Sequence, residues 1–162
     1  MKRAFIGIGS NLGDRRGNCV EAVERLKEIK GCEFIGCSGW YLTSPVGVED
    51  QDWFVNGVAC LDAKISAHEL LDRLLSIEDL MGRVRTEKWG PRVIDLDLLL
   101  YGADTMSEPD LEVPHPHMHR RKFVLAPLAE LDPEVRHPVL AKTASQMLRE
   151  LEDEDQQLTR LE

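Results

Sequence analysis

Asp95 and Asp97 stand two residues apart inside W-G-P-R-V-I-D-L-D-L-L-L-Y-G (89–102), a stretch that otherwise reads as a buried strand. Side chains alternate along a strand, so the two acids share a face with Leu99 and Tyr101. Ile94, Leu96, Leu98 and Leu100 form the other, wholly apolar face. Residues i and i+2 lie about 6–7 Å apart, and two sheltered anions that close repel unless a cation sits between them. Mg²⁺ meets that need, because it takes one or two carboxylates and completes its shell with water and phosphate oxygens. A pair of ions about 3.5–4 Å apart would also fit. The plainer alternative leaves both acids at an exposed strand edge or pairs them with Arg92.

Residues 83–92, RVRTEKWGPR, weigh on that choice, setting Arg83, Arg85, Lys88 and Arg92 against the single acid Glu87. In a chain of net charge −9 such a cluster calls for an anionic partner. Metal-binding acids beside several guanidiniums are the equipment of phosphoryl transfer, in which metal bridges the phosphates and arginine stabilises charge on their oxygens. The usual phosphate loops are missing. GIGSNLG (7–13) spaces its glycines G-x-G-x-x-x-G, unlike a dinucleotide fingerprint, and G-x-x-x-x-G-K-[ST] does not occur. GIGSN is expected to make a tight strand-to-helix connection, leaving phosphates to metal and arginine. Two rival readings are a binding module without catalysis and a metal-dependent phosphohydrolase.

These groups must be positioned by a chain of 162 residues, 43% hydrophobic and 30% charged, which suits one ordinary domain. Its acidity argues against nucleic acid as a partner. No apolar run reaches membrane-spanning length and the N-terminal one is too short for a signal peptide, so a cytoplasmic location is expected. Cys19, Cys32, Cys37 and Cys60 lack C-x-x-C spacing and are expected to be free, mostly buried thiols.

Along the chain, 2–9 reads as a central strand, and Asp14 can cap a helix carrying Cys19, Val23, Leu26 and Ile29 at helical spacing and closing at Gly31. Residues 32–42 and 53–65 read as strands around a loop punctuated by Pro45 and Gly47. Ser66 and Glu69 form a capping-box pattern before a helix with Leu70, Leu74, Ile77 and Leu80 on one stripe, stopping at Gly82. A second box, 143–146, precedes Met147, Leu148 and Leu151, and the acidic tail 150–162 reads as a solvated end. The order predicts an α+β fold: a ferredoxin-like βαββαβ core, an antiparallel sheet with helices packed on one face, and a C-terminal extension.

Several segments together resemble the 6-hydroxymethyl-7,8-dihydropterin pyrophosphokinase family of folate biosynthesis. They are A-F-I-G-I-G-S-N-L-G-D, Y-L-T-S-P-V-G, Q-D-W-F-V-N, I-E-x-x-x-G-R-V-R, W-G-P-R-V-I-D-L-D and V-P-H-P-H-M-H-R-R-x-F, in this order over nearly the whole chain. The resemblance implies a single pyrophosphokinase domain over 1–162 that moves pyrophosphate from ATP to the pterin's hydroxymethyl oxygen, releasing AMP with the help of two Mg²⁺. It implies Asp95 and Asp97 as metal ligands, Arg83 and Arg92 on the transferring phosphates, Arg85 in the same cationic loop, and Trp89 in a segment closing over the site. For the pterin it implies stacking on Phe54 and Phe123, edge contacts from Asn56, and further contacts from the Thr43, Pro45 and Val46 segment. For ATP it implies Leu71, Leu98 and the surroundings of Glu112 at adenine, and Glu78, His115 and Arg121 toward the rest of the nucleotide. Pro116 departs from the pattern, since an aromatic often follows that histidine. His115, His117 and His119 suggest zinc at first sight, but Pro114 and Pro116 break the regular spacing such a site would need. The resemblance also implies a monomer that binds neither nucleic acid nor membrane.

Overall fold

The computed structural model describes residues 1–44, 52–82, 93–151 and 157–161. The chain runs β1 (Lys2–Ser10), α1 (Arg15–Lys27), β2 (Cys32–Cys37), β3 (Tyr41–Thr43), β4 (Phe54–Ala63), α2 (Ala67–Leu80) and β5 (Asp95–Tyr101). There follow a hairpin of β6 (Met106–Glu108) and β7 (Leu111–Val113), a short 3-10 turn (Met118–Arg120), α3 (Lys122–Leu131), α4 (Ala144–Glu150) and β8 (Leu158–Arg160). The main sheet is antiparallel in the order β5-β1-β4-β3-β8, with β2 also pairing with β4, so the predicted ferredoxin-like arrangement is present.

Local chemistry sets most boundaries. Asp14 accepts the Gly17 amide at the start of α1, and Ser66 accepts the Glu69 amide at the start of α2. Thr143 and Gln146 satisfy each other's amides in a full capping box at 3.1 and 2.8 Å. Gly31 and Gly82 both hold φ +85°, past the ends of α1 and α2, a region that L side chains rarely enter. The stripe on α2 ends earlier than expected: Leu70, Leu74 and Ile77 are buried, whereas Leu80 is 71% exposed.

Residues 32–42, expected as one strand, are two. At the break, the Ser38 amide donates to the Val58 carbonyl and the Val58 amide donates to Ser38 Oγ. A side chain thus continues the ladder where the backbone bends, and both β2 and β3 stay on β4. The tail also differs from a solvated end: β8 adds to β3 as a further antiparallel strand. All four cysteines are free thiols, with Cys19 and Cys60 buried and the other two partly so.

The two faces of the sheet carry separate cores. Ala4, Ile6, Ile8, Leu61, Leu96 and Leu98 pack with α1 and α2 on one face. Phe5, Val58, Cys60, Leu99 and Leu100 pack with α3 and α4 on the other. Helices were expected on one face only. The second face needs its own cover because half of it is apolar, and the C-terminal extension provides it. Alternation on β5 changes at a register irregularity opposite Phe5 and Ile6. Beyond it Leu100 joins Leu99 over α3 and α4, while Tyr101 turns into the first core, contrary to its expected place beside the acids. There the Tyr101 hydroxyl donates to the Ile65 carbonyl. Among the described residues no helix is long and apolar enough to cross a membrane.

Candidate functional site

The face under α3 and α4 divides along the strands. The strand register sets Leu100, Phe5 and Cys60 in one cross-strand row and Asp97, Gly7 and Val58 in the next. The row beyond contains Asp95, Gly9, Asn56 and Tyr41. The apolar half lies beneath the helices, and the other half is floored by two glycines between acids on one side and an amide on the other. Strands lie about 4.8 Å apart, so about 10 Å separates the backbones of Asp95 and Asn56 across Gly9. Gly7 and Gly9 therefore sit inside β1, in the strand expected over 2–9, and the turn expected at GIGSN comes only after Ser10. Their signal was present in the alternation: two glycines at i and i+2 on the face that β5 gives to its acids.

Both aspartates are half-buried. The segment that carries them is held from the outer edge of β5 at two points. Glu78, on α2 and 1% exposed, accepts the Leu96 amide at 2.8 Å. The His115 amide donates to the Leu99 carbonyl at 2.9 Å. Glu78 is thus a buried tether on the residue between the acids.

Across the floor, Asn56 is buried and donates from Nδ2 to Thr43 Oγ1 at 2.7 Å. A Cβ built on Gly9 would lie 2.5 Å from Asn56 Oδ1, so the carboxamide oxygen reaches over β1 toward β5. Phe54 lies two residues from Asn56 on the same face, and Phe123 opens α3 beside the second core; both are half-buried. A flat heterocycle with donors and acceptors at its edge would match this pairing of aromatic faces and an oriented amide.

At the edge beyond β5, burial, aided by the nearby Arg121 charge, lowers the His115 pKa to about 4. The ring is neutral at neutral pH. Its Nδ1 accepts the His117 amide at 3.2 Å, which leaves the proton on Nε2. Arg121 lies 5.5 Å from the Phe123 ring centroid, in cation–π range. Leu98 is in the first core, with Leu71 packed against it. Glu112 is exposed, while its neighbours Leu111 and Val113 pack in the core with Leu98. Glu112, His115 and Pro116 also border a cleft of about 430 Å³ that reaches His119 and His137.

The structure therefore brings Asp95, Asp97, Asn56, Thr43 and Phe54 onto one sheet half; His115 bonds to the edge of β5, and Arg121 lies beside Phe123 at the start of α3. Pro45, Val46, Arg83, Arg85, Trp89 and Arg92 lie outside the described residues.

Residues 5–133 match the family described as 7,8-dihydro-6-hydroxymethylpterin-pyrophosphokinase (HPPK). The chain belongs to this family. It is 44% identical over 135 residues to a 2-amino-4-hydroxy-6-hydroxymethyldihydropteridine pyrophosphokinase of Methylorubrum extorquens, covering 83% of this chain and 85% of that protein. It is 42% identical over 128 residues to the protein of the same name from Bacillus subtilis, covering 79% of this chain and 77% of that one. Among solved structures, the Plasmodium falciparum HPPK-DHPS wild type with SDX-DHP superimposes with a TM-score of 0.72 at 17% identity, over 92% of this chain. The chain spans 43% of that longer protein, so the likeness shows a shared fold.

A side chain at Gly9 would collide with the Asn56 amide oxygen and displace it. Gly9→Ala should therefore raise KM for a pterin substrate about ten- to a hundredfold, given how steeply rate and binding depend on placement within about 1 Å. The effect on KM for ATP should be small. Steady-state kinetics with each substrate varied in turn checks the split.

Proposed function

We propose that this chain is a pyrophosphokinase that transfers the β,γ-pyrophosphoryl group of ATP to the hydroxymethyl oxygen of 6-hydroxymethyl-7,8-dihydropterin in folate biosynthesis. The hydroxymethyl oxygen attacks the β-phosphorus, and the bond from that phosphorus to the oxygen bridging the α-phosphate breaks. AMP leaves with that oxygen. The observation that carries the site assignment is the glycine-floored half-sheet, with its two acids on one rim and its oriented amide on the other.

Asn56, fixed by Thr43, reads the edge of the pterin, and Phe54 and Phe123 take its faces. Pro45 and Val46 add contacts from the neighbouring loop. The hydroxymethyl arm then points across Gly9 toward β5. Asp95 and Asp97 would hold Mg²⁺, two ions by the family's pattern. Two half-buried carboxylates on one face suit an ion that takes one or two protein carboxylates and leaves its other positions to water and phosphate, so the residues fit. Held there, a metal would offset the charge that builds on the phosphate oxygens.

His115, neutral and carrying its proton on Nε2, donates to a phosphate oxygen, and Arg121 adds a fixed positive charge beside it. Arg83, Arg85 and Arg92 clamp the transferring group, and Trp89 covers it. Adenine lies against Leu71 and Leu98, near the backbone around Glu112, and Glu78 serves the nucleotide side by holding β5 in place. The reaction needs in-line placement, charge neutralisation and exclusion of water, and no general base is assigned. The protein acts as a single domain over 1–162, as a cytoplasmic monomer, and binds small molecules alone.

One assay tests the function. With ATP, Mg²⁺ and 6-hydroxymethyl-7,8-dihydropterin, the protein should form AMP and pterin diphosphate in equal amounts, followed by chromatography. Omitting the pterin should stop AMP formation. Phosphate release from ATP alone would instead mark a phosphohydrolase, and no turnover in either mixture would mark a binding module.

A further inference from the structure

Glu130, near the C-terminal end of α3, is the hub of a network with no place in the chemistry above. Its carboxylate accepts from Tyr41 Oη at 2.5 Å, from the Gly39 amide at 2.7 Å and from Arg160 Nε at 2.9 Å. Arg160 Nη2 adds a contact at 3.4 Å. The hydrogen bond from Arg160, with those from Tyr41 and Gly39, holds the Glu130 carboxyl down at about 2. The arginine has a built seat. A Cβ on Gly39 would lie 2.4 Å from its Nη2 and 2.7 Å from its Cζ, so the guanidinium lies directly on the glycine backbone.

The network reaches the site along β3. Tyr41 pairs with Asn56 in the sheet, and Thr43, two residues on, accepts the Asn56 amide. On its other side β3 is backed by β8, through the pairs Tyr41 with Arg160, Leu42 with Thr159 and Thr43 with Leu158. The backing extends at both ends: the Leu161 amide donates to the Trp40 carbonyl, and Ser44 and Gln157 exchange two hydrogen bonds. A three-residue strand has little ladder of its own, so its position depends on both neighbours. β4 holds one side, and β8, fastened by Arg160 to Glu130, holds the other.

We infer that Glu130 and Arg160 are positioning residues for pterin binding: by fastening β8 and Tyr41 they fix β3, and through Thr43 they aim the Asn56 carboxamide. This rests on the assignment of Asn56 to the pterin. A purely structural stitch would affect stability alone. An aiming device separates the two substrates, because ATP is held from the β5 edge, three strands away in the order β5-β1-β4-β3.

The test measures KM for the pterin, KM for ATP, kcat and the thermal midpoint in four variants, each assayed well below its midpoint. Asn56→Ala should raise the pterin KM strongly. Glu130→Ala, which leaves three donors without their acceptor, should raise it about tenfold, and Arg160→Ala about threefold because exposed ion pairs contribute modestly. Arg160→Lys should recover part of that loss, and KM for ATP should stay within about twofold of wild type throughout. If Glu130→Ala does not fold, Arg160→Ala alone decides the matter, since it leaves the Tyr41 and Gly39 bonds in place. An unchanged pterin KM in Arg160→Ala, or equal rises for both substrates, while Asn56→Ala still impairs pterin binding, overturns the inference and spares the site. An unchanged pterin KM in Asn56→Ala overturns the assignment of the site itself.

Discussion

Asp97→Ala should cut AMP formation by at least about a thousandfold, because a metal held by the proposed aspartate pair would supply the charge neutralisation on which this reaction most depends. The protein should remain folded. Asp97 is half-buried on an edge strand beside Gly7, so the truncation leaves no large cavity. Its loss should also relieve repulsion with Asp95. Added Mg²⁺ should stabilise the wild type against heat and do so far less in the variant, by simple linkage. Normal AMP output from a folded Asp97→Ala protein would remove the aspartate pair from the chemistry.

Glu78→Ala should also lower activity, by less than the loss of Asp97, although this side chain is buried against the strand rather than on the face that carries the acids. It leaves the buried Leu96 amide without the acceptor it now has at 2.8 Å, at a cost of about 1–3 kcal/mol in stability. The larger effect should fall on turnover. Leu96 lies between the two acids, so releasing it lets both carboxylates drift, and loss of an outer support of this kind lowers metal affinity or activity about ten- to a hundredfold. Glu78→Gln keeps a carbonyl acceptor and should recover most of the stability and part of the rate. The signature to seek is a raised Mg²⁺ requirement that excess metal partly restores. A variant with lower stability but an unchanged Mg²⁺ dependence would reduce Glu78 to a packing residue.

Asp95 and Asp97 were legible in the sequence because strand alternation puts like positions on one face, and the acids interrupt an otherwise apolar pattern. The βαββαβ order was legible too, through periodicity and capping residues. Alternation could not reveal its own interruption. The irregularity opposite Phe5 and Ile6 depends on the partner strand, so Tyr101 was placed on the wrong face. The Ser38 break in 32–42 was hidden for a similar reason, since the hydroxyl that mends the ladder bonds to Val58, twenty residues away. Glu78 was recognised as an acid on a helix, but its task depends on a strand edge that only the fold supplies. The Glu130 network, joining α3, β3 and β8, left no local pattern at all. Short polar strands such as β8 carry too little hydrophobic rhythm to stand out from an acidic tail.

Sharing one sheet face between α3–α4 and the site has a consequence for any attempt to trim the protein. The βαββαβ unit is complete in topology by the end of β5, which invites a minimal catalyst that stops there. Such a fragment would bare Phe5, Val58, Cys60, Leu99 and Leu100 to water as a continuous greasy stripe. It would shed His115, Arg121 and Phe123 in the same cut. Solubility and three residues of the proposed site would disappear together, so evolution or engineering can lengthen this scaffold more readily than shorten it.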